Sequence, residues 1–165
     1  MATTDCHLYR SLRYDDFGQS YAGTEDTIPD GLLYPRWRNT NYTVSFRRGG
    51  RVVEEERVSR ADVRYNPAGE VRTGGGTSLF DVEGWFGSRD WHYFRIPEGT
   101  TIPDSLVVQG PGPEQSNGRP GNGARTGHHY QIEVRVPMTV EAMKGALDTF
   151  LRSAIAKNVQ LAQTA

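Results

Sequence analysis

Three short stretches of this 165-residue chain carry side chains suited to chemistry. The first is Leu8-Tyr9-Arg10, an aromatic residue followed by an arginine in a short alternating run. The second is Gly75-Gly76-Thr77-Ser78-Leu79-Phe80, a glycine break followed by two hydroxyls. The third is His129-Tyr130-Gln131-Ile132-Glu133. On a strand, alternation puts His129, Gln131 and Glu133 on one face and Tyr130 and Ile132 on the other.

An arginine, a hydroxyl and a carboxylate drawn from three strands suit one task, which is to grip NAD⁺ and open it at the nicotinamide–ribose bond. Arginine holds phosphate through two parallel hydrogen bonds, which makes Arg10 a phosphate clamp. A strand hydroxyl, Ser78, can hold the nicotinamide-side ribose or a neighbouring carboxylate. The bond breaks through an oxocarbenium-like state, and a carboxylate such as Glu133 stabilises that positive charge. Removing one such preorganised group costs about 3–4 kcal/mol of barrier. Each stretch alone also has a plainer reading. Arg10 can be a surface arginine, Gly-Gly-Thr-Ser a turn entering a strand, Glu133 a solvated edge residue and His129 a structural one. The glycines lack the lysine of a phosphate-binding P-loop, so that reading fails.

The elements that must position these residues follow from periodicity. His7 to Leu12 reads as a strand, and Asp15 to Arg38 as an irregular excursion. Asn41 to Phe46 and Arg51 to Val58 read as a hairpin turned by Gly49–Gly50. Thr77 to Phe80, Trp91 to Ile96, Leu106 to Gln109 and His129 to Val136 are further strands. Residues 110–127, rich in glycine and proline, read as a mobile loop. Thr139 caps a C-terminal helix over 139–160 whose stripe is Val140, Met143, Leu147, Phe150, Leu151, Ala154 and Ile155. Short strands followed by one strong helix give an α+β class in a single domain, 1–165.

Composition narrows the functions. The net charge is −1, so no global field draws in nucleic acid, although a nucleic-acid target stays open. Only Lys144 and Lys157 among the 19 basic residues are lysines. Cys6 is the sole cysteine, which excludes an intrachain disulfide and a cysteine zinc cluster. His128 and His129 point to opposite strand faces, so no metal site is expected. The first residues hold no apolar stretch of a Sec signal, and no run is long and apolar enough to span a membrane. A cytoplasmic location, in the producing or the target cell, is therefore expected, with any export by a route that reads no N-terminal signal.

The chain resembles the ADP-ribosyltransferase-like toxins exported by the bacterial type VI secretion system, whose relatives also occur in fungi. Leu8-Tyr9-Arg10 is similar to their first strand, and Gly75-Gly76-Thr77-Ser78-Leu79-Phe80-Asp81 to their Gly-Gly-Thr-Ser-Val-Phe-Asp segment. Ile96-Pro97-Glu98-Gly99-Thr100 resembles their Ile-Pro-x-Gly-Thr segment, His129-Tyr130-Gln131-Ile132 their His-Tyr-x-Ile strand, and Leu147-Asp148-Thr149-Phe150 part of their last helix. The resemblance implies two crossed, mostly antiparallel sheets with flanking helices around a cleft for NAD⁺, used as substrate. It also implies growth arrest of a target cell and a cognate immunity protein. It carries Arg10, Thr77 and Ser78 over to the family's motif positions, while the family's third strand shows His-Tyr without a glutamate; the residues expected at the NAD⁺ are Tyr9, Arg10, Thr77, Ser78 and Gln131, and those at the chemistry Ser78, His129 and Glu133. Gln131-Ile132-Glu133 looks like the Gln-x-Glu motif of the wider Arg-Ser-Glu transferases. Either the chain stands closer to that class, or Glu133 is incidental and His129 matters more. An NAD⁺ hydrolase, a binding protein that has lost catalysis, and an RNA 2′-phosphotransferase-like enzyme are the alternatives.

Overall fold

The computed structural model describes residues 1–13, 24–25, 27–118 and 123–165. Its centre is an antiparallel sheet. The strands are β1 (Leu8–Arg13), β6 (Thr77–Phe80), β7 (Trp91–Ile96), β8 (Leu106–Gln109) and β10 (Arg125–Val134), in the order β7-β1-β6-β10-β8. A sixth strand, β9 (Glu114–Asn117), pairs with the first part of β10. Two smaller antiparallel sheets stand apart from it: β2 (Thr40–Arg48) with β3 (Arg51–Ser59), and β4 (Arg64–Tyr65) with β5 (Val71–Arg72).

One helix, α1 (Val140–Thr164), is seen among the described residues and closes the chain. Thr139 caps it as expected, its hydroxyl accepting from the Ala142 amide at 3.1 Å. The helix runs a few residues past the expected end at 160. Its stripe is buried at Met143, Leu147, Phe150, Leu151, Ala154 and Ile155, and Val140 packs beside them. The sheet answers with Leu8 and Leu12 of β1, Leu79 of β6, Phe94 and Ile96 of β7, Leu106 of β8, and Ile132 and Val134 of β10. These positions alternate along each strand, so one face of the sheet is committed to the helix. Buried Asn158 is polar for a reason. Its side chain donates to the Arg95 carbonyl and accepts from the Arg95 guanidinium, tying α1 to β7.

Most expected strands are present, and two readings change. The stretch 110–127, expected as a mobile loop, contains β9 and the start of β10, and its residues 119–122 lie outside the described residues. A ladder on a sheet edge is held by backbone hydrogen bonds and needs no apolar side chains, so the polar composition concealed it. Gly127 also has a packing role, because a Cβ there would meet Asp81 Oδ1 and Val82 Cγ1 at 2.7 Å. The excursion expected over Asp15 to Arg38 falls partly on residues 15–23 and 26, outside the described residues. Its described part, 27–38, forms turns that bury Ile28, Leu32 and Leu33 in the core.

Phe150 is fully buried between the helix and the sheet. Phe150→Ala should lower unfolding stability by about 3–5 kcal/mol in a urea titration, since the cavity cannot collapse between two rigid layers.

Candidate active site

A cleft opens where two neighbouring strands part. Strand β1 runs along β7 for its whole length, from Leu8 opposite Ile96 to Arg13 opposite Trp91. With β6 it shares a single pair, Tyr9 opposite Phe80. Beyond that pair the strands diverge, and a cavity of about 310 Å³ fills the gap. That volume sits at the low end of ligand pockets.

Three cations line this cleft: Arg10, Arg13 and Arg36. An aromatic wall faces them. Phe86 stacks on Trp91 with centroids 4.4 Å apart, and Phe80 meets Phe86 edge-on at 6.0 Å. The Arg13 guanidinium lies 5.5 Å from the centre of the Trp91 ring. Ser78, Ser11, Asp62 and His129 complete the polar lining. The Ser11 hydroxyl oxygen is buried and has no hydrogen-bond partner among the described residues.

Arg10 does more than line the cleft. Its Nε donates to the Leu32 carbonyl at 3.3 Å, Nη2 to the Tyr34 carbonyl at 2.9 Å and Nη1 to the Ser78 carbonyl at 3.5 Å. It therefore ties the turn segment 31–38 to β1 and β6. Asp148 of α1 holds the same segment from the other side. Its carboxylate accepts from the Gly31 amide at 3.0 Å and from the Tyr34 hydroxyl at 2.6 Å. Burial and that carboxylate push the Tyr34 phenol well above its usual range.

The glycines before β6 are needed for close approach. A Cβ on Gly75 would overlap the Asp62 carbonyl oxygen, and one on Gly76 the Ile132 carbonyl oxygen. Strand β6 then alternates. Thr77 is fully buried and donates to the Leu33 carbonyl, while Ser78 points outward into the cleft lining. Asp81 follows and anchors β10, accepting from the His128 amide at 2.6 Å and facing the His128 ring at 2.7 Å. The adjacent histidines do part to opposite faces, His128 to Asp81 and His129 to the cleft.

His129 is half-buried and meets Phe80 edge-on at 5.4 Å. Burial lowers the pKa of its ring below the usual histidine value, which favours the neutral imidazole. Gln131 stands opposite Ser78 and Gln109 in the sheet, outside the cleft lining. Tyr9 stands between Phe80 and Arg95, also outside it. Glu133 is 8% exposed, and its Oε1 accepts from the Gly74 amide at 2.6 Å. It shares the strand face of His129 by alternation but sits further along β10, away from the lining. Of the residues singled out in the sequence, Arg10, Ser78 and His129 are thus brought together at one cleft. Tyr9, Thr77, Gln131 and Glu133 are placed around it.

The sequence reading had not singled out Ser11, Arg13, Arg36, Asp62, Phe86 or Trp91. Trp91 carried one usable signal, since it opens a strand the sequence had identified, and Arg13 lies one residue past the expected end of β1. Asp62 is the one carboxylate among the described lining residues. No group of three histidine, cysteine or acidic side chains is placed to hold a metal among the described residues.

A family model described as the Tse2 ADP-ribosyltransferase toxin matches residues 7–159. The chain belongs to the Tse2 ADP-ribosyltransferase toxin family. Toxin Tse2 of Pseudomonas aeruginosa, strain PAO1, is 37% identical to it over 89 residues. That match covers 54% of this chain and 51% of the relative, so it spans about half the length of each. The α+β architecture of antiparallel sheets with a C-terminal helix agrees with this family. No helix among the described residues is long and apolar enough to cross a membrane.

Two measurements separate structural from site roles within the Tse2-family motifs. Thr77→Val should cost about 1–3 kcal/mol of stability in a urea titration, because the Leu33 carbonyl loses its buried donor. The depressed pKa of His129 makes stability pH-dependent. Below the unfolded histidine value of about 6.5 the unfolded chain takes up the proton more readily, so stability is lost as pH falls through the folded pKa. Denaturant titrations between about pH 7 and 5 should show a shallower acid loss for His129→Gln than for the parent chain.

Proposed function

We propose that the chain takes NAD⁺ as its substrate and transfers ADP-ribose to an acceptor inside a target cell, arresting its growth. The observation that carries this reading is the cleft itself. Arg10, Arg13 and Arg36 offer positive charge to a pyrophosphate, and Phe80, Phe86 and Trp91 offer flat apolar surface to a ring. Ser78 and His129 lie in the same lining.

In the reaction the bond between the ribose and the nicotinamide nitrogen breaks. Its electron pair leaves with nicotinamide, which becomes neutral, and the ribose carbon turns cationic. An acceptor nucleophile adds to that carbon and loses its proton. Ser78 suits the ribose as a hydrogen-bond partner. His129, favoured in its neutral form by burial, suits the acceptor proton as a general base. Glu133 acts as a positioning residue, fixing the Gly74 turn that leads into the Gly-Gly-Thr-Ser segment. If water takes the place of the acceptor, the same steps make an NAD⁺ hydrolase. A toxin of this kind is silenced in its producer by a cognate immunity protein.

Nicotinamide release from NAD⁺ by the purified chain tests the reading. Ser78→Ala and His129→Ala should each lower turnover by about a hundredfold or more. Glu133→Gln should retain most of the rate and show its effect in melting temperature. A parent chain that neither binds nor cleaves NAD⁺ would sink the enzyme and favour a binding protein on this fold.

A further inference from the structure

The β2–β3 ribbon takes no part in the cleft lining. Nine of the seventeen arginines fall between Arg36 and Arg72, against five acidic residues there, although the whole chain carries −1. The ribbon is the longest element of that segment. Its nine-residue strands reach roughly 30 Å and hydrogen-bond only to each other. None of its residues is buried. A lone hairpin of this kind is marginal in water.

The register sorts the ribbon into two unlike faces. Directly opposed residues share a face, so Tyr42 with Arg57, Val44 with Glu55, Phe46 with Val53 and Arg48 with Arg51 lie together. That face holds three arginines and two aromatic rings against one carboxylate. The carboxylate, Glu55, is already bridged by Arg57 at 3.6 Å. Arg48 lies over the Phe46 ring at 5.4 Å, and Tyr42 is 46% exposed. The other face carries Glu54 and Glu56 against Arg47 alone. One side of the ribbon thus attracts phosphate and offers rings, and the other repels phosphate.

Cations interleaved with an exposed ring, Tyr42, and a half-buried one, Phe46, match the repeat of a single-stranded nucleic acid, in which charged backbone alternates with flat bases. We propose that this ribbon face binds single-stranded nucleic acid, with bases stacked on Tyr42 and Phe46 and phosphates held by Arg48, Arg51 and Arg57. An acidic protein would engage the arginines but would leave the two rings without stacking partners.

Fluorescence anisotropy of the full chain with labelled RNA and DNA strands of about 20 nucleotides tests this without NAD⁺, so its outcome is separate from that of the transferase chemistry. Affinity should fall steeply with salt. The tighter of the two strands identifies the source. Arg48→Gln with Arg51→Gln should flatten the slope of log K against log salt by about 1.4, or 0.7 per lost phosphate contact. Tyr42→Ala with Phe46→Ala should weaken binding roughly tenfold or more at fixed salt while keeping the slope. Both double variants should melt with the parent, since the ribbon lies outside the core. The proposal is overturned if neither strand binds, or if both variants bind like the parent. Displacement of the strand by polyglutamate as readily as by unlabelled RNA would also overturn it, and would point to an acidic protein surface.

Discussion

The guanidinium of Arg10 holds together the three parts of the molecule that meet at the cleft. It belongs to β1, it reaches the carbonyl of Ser78 in β6, and it holds two carbonyls of the 31–38 segment. That segment has no strand to pair with, so its backbone acceptors need donors from elsewhere. A charged donor meets this need more strongly than a neutral one. Asp148 completes the arrangement from the helix side with a carboxylate on Gly31 and Tyr34. A cation on the sheet and an anion on the helix therefore fix one wall of the site. The apolar core, in which Leu32 and Leu33 lie between them, supplies most of the cohesion.

The Gly-Gly-Thr-Ser-Leu-Phe-Asp run divides its labour residue by residue. Gly75 and Gly76 let two backbones come close, and Thr77 hangs the irregular segment from β6. Ser78 faces the cleft, Leu79 enters the core, Phe80 joins the aromatic wall and Asp81 fixes His128. A motif like this is more demanding than its chemistry alone would require. Its two hydroxyls also have different fates, because strand alternation sends one inward and the other out.

Much of this was legible in the sequence. Strands with clean alternation or a dense apolar run, such as β1, β6, β7 and β8, were found near their true limits, β10 was found only in its second half, and the stripe of α1 was found residue by residue. Those signals are local. The cleft was not legible, because it depends on β1 leaving β6 after one pair while staying with β7. That is a matter of register between segments about seventy residues apart. For the same reason Arg36 and Asp62 could not be seen as neighbours of His129, and the hairpin of β9 with β10 left no apolar trace. Glu133 shows the converse limit. Alternation gave its face correctly, but position along the strand puts its carboxylate on the Gly74 amide.

The single pair joining β1 to β6 also sets how the central sheet bears load. Everywhere else in it, neighbouring strands are stitched by several consecutive pairs, as along β1 with β7 or β10 with β8. At this one place the ladder is a single stitch wide. Across that junction the backbone contributes one pair, and the Arg10 guanidinium adds a long contact of 3.5 Å to the Ser78 carbonyl. A molecule wedging itself into the gap thus works against fewer backbone hydrogen bonds than at any other junction of the sheet. The place where the sheet yields most cheaply is the place where the lining residues converge.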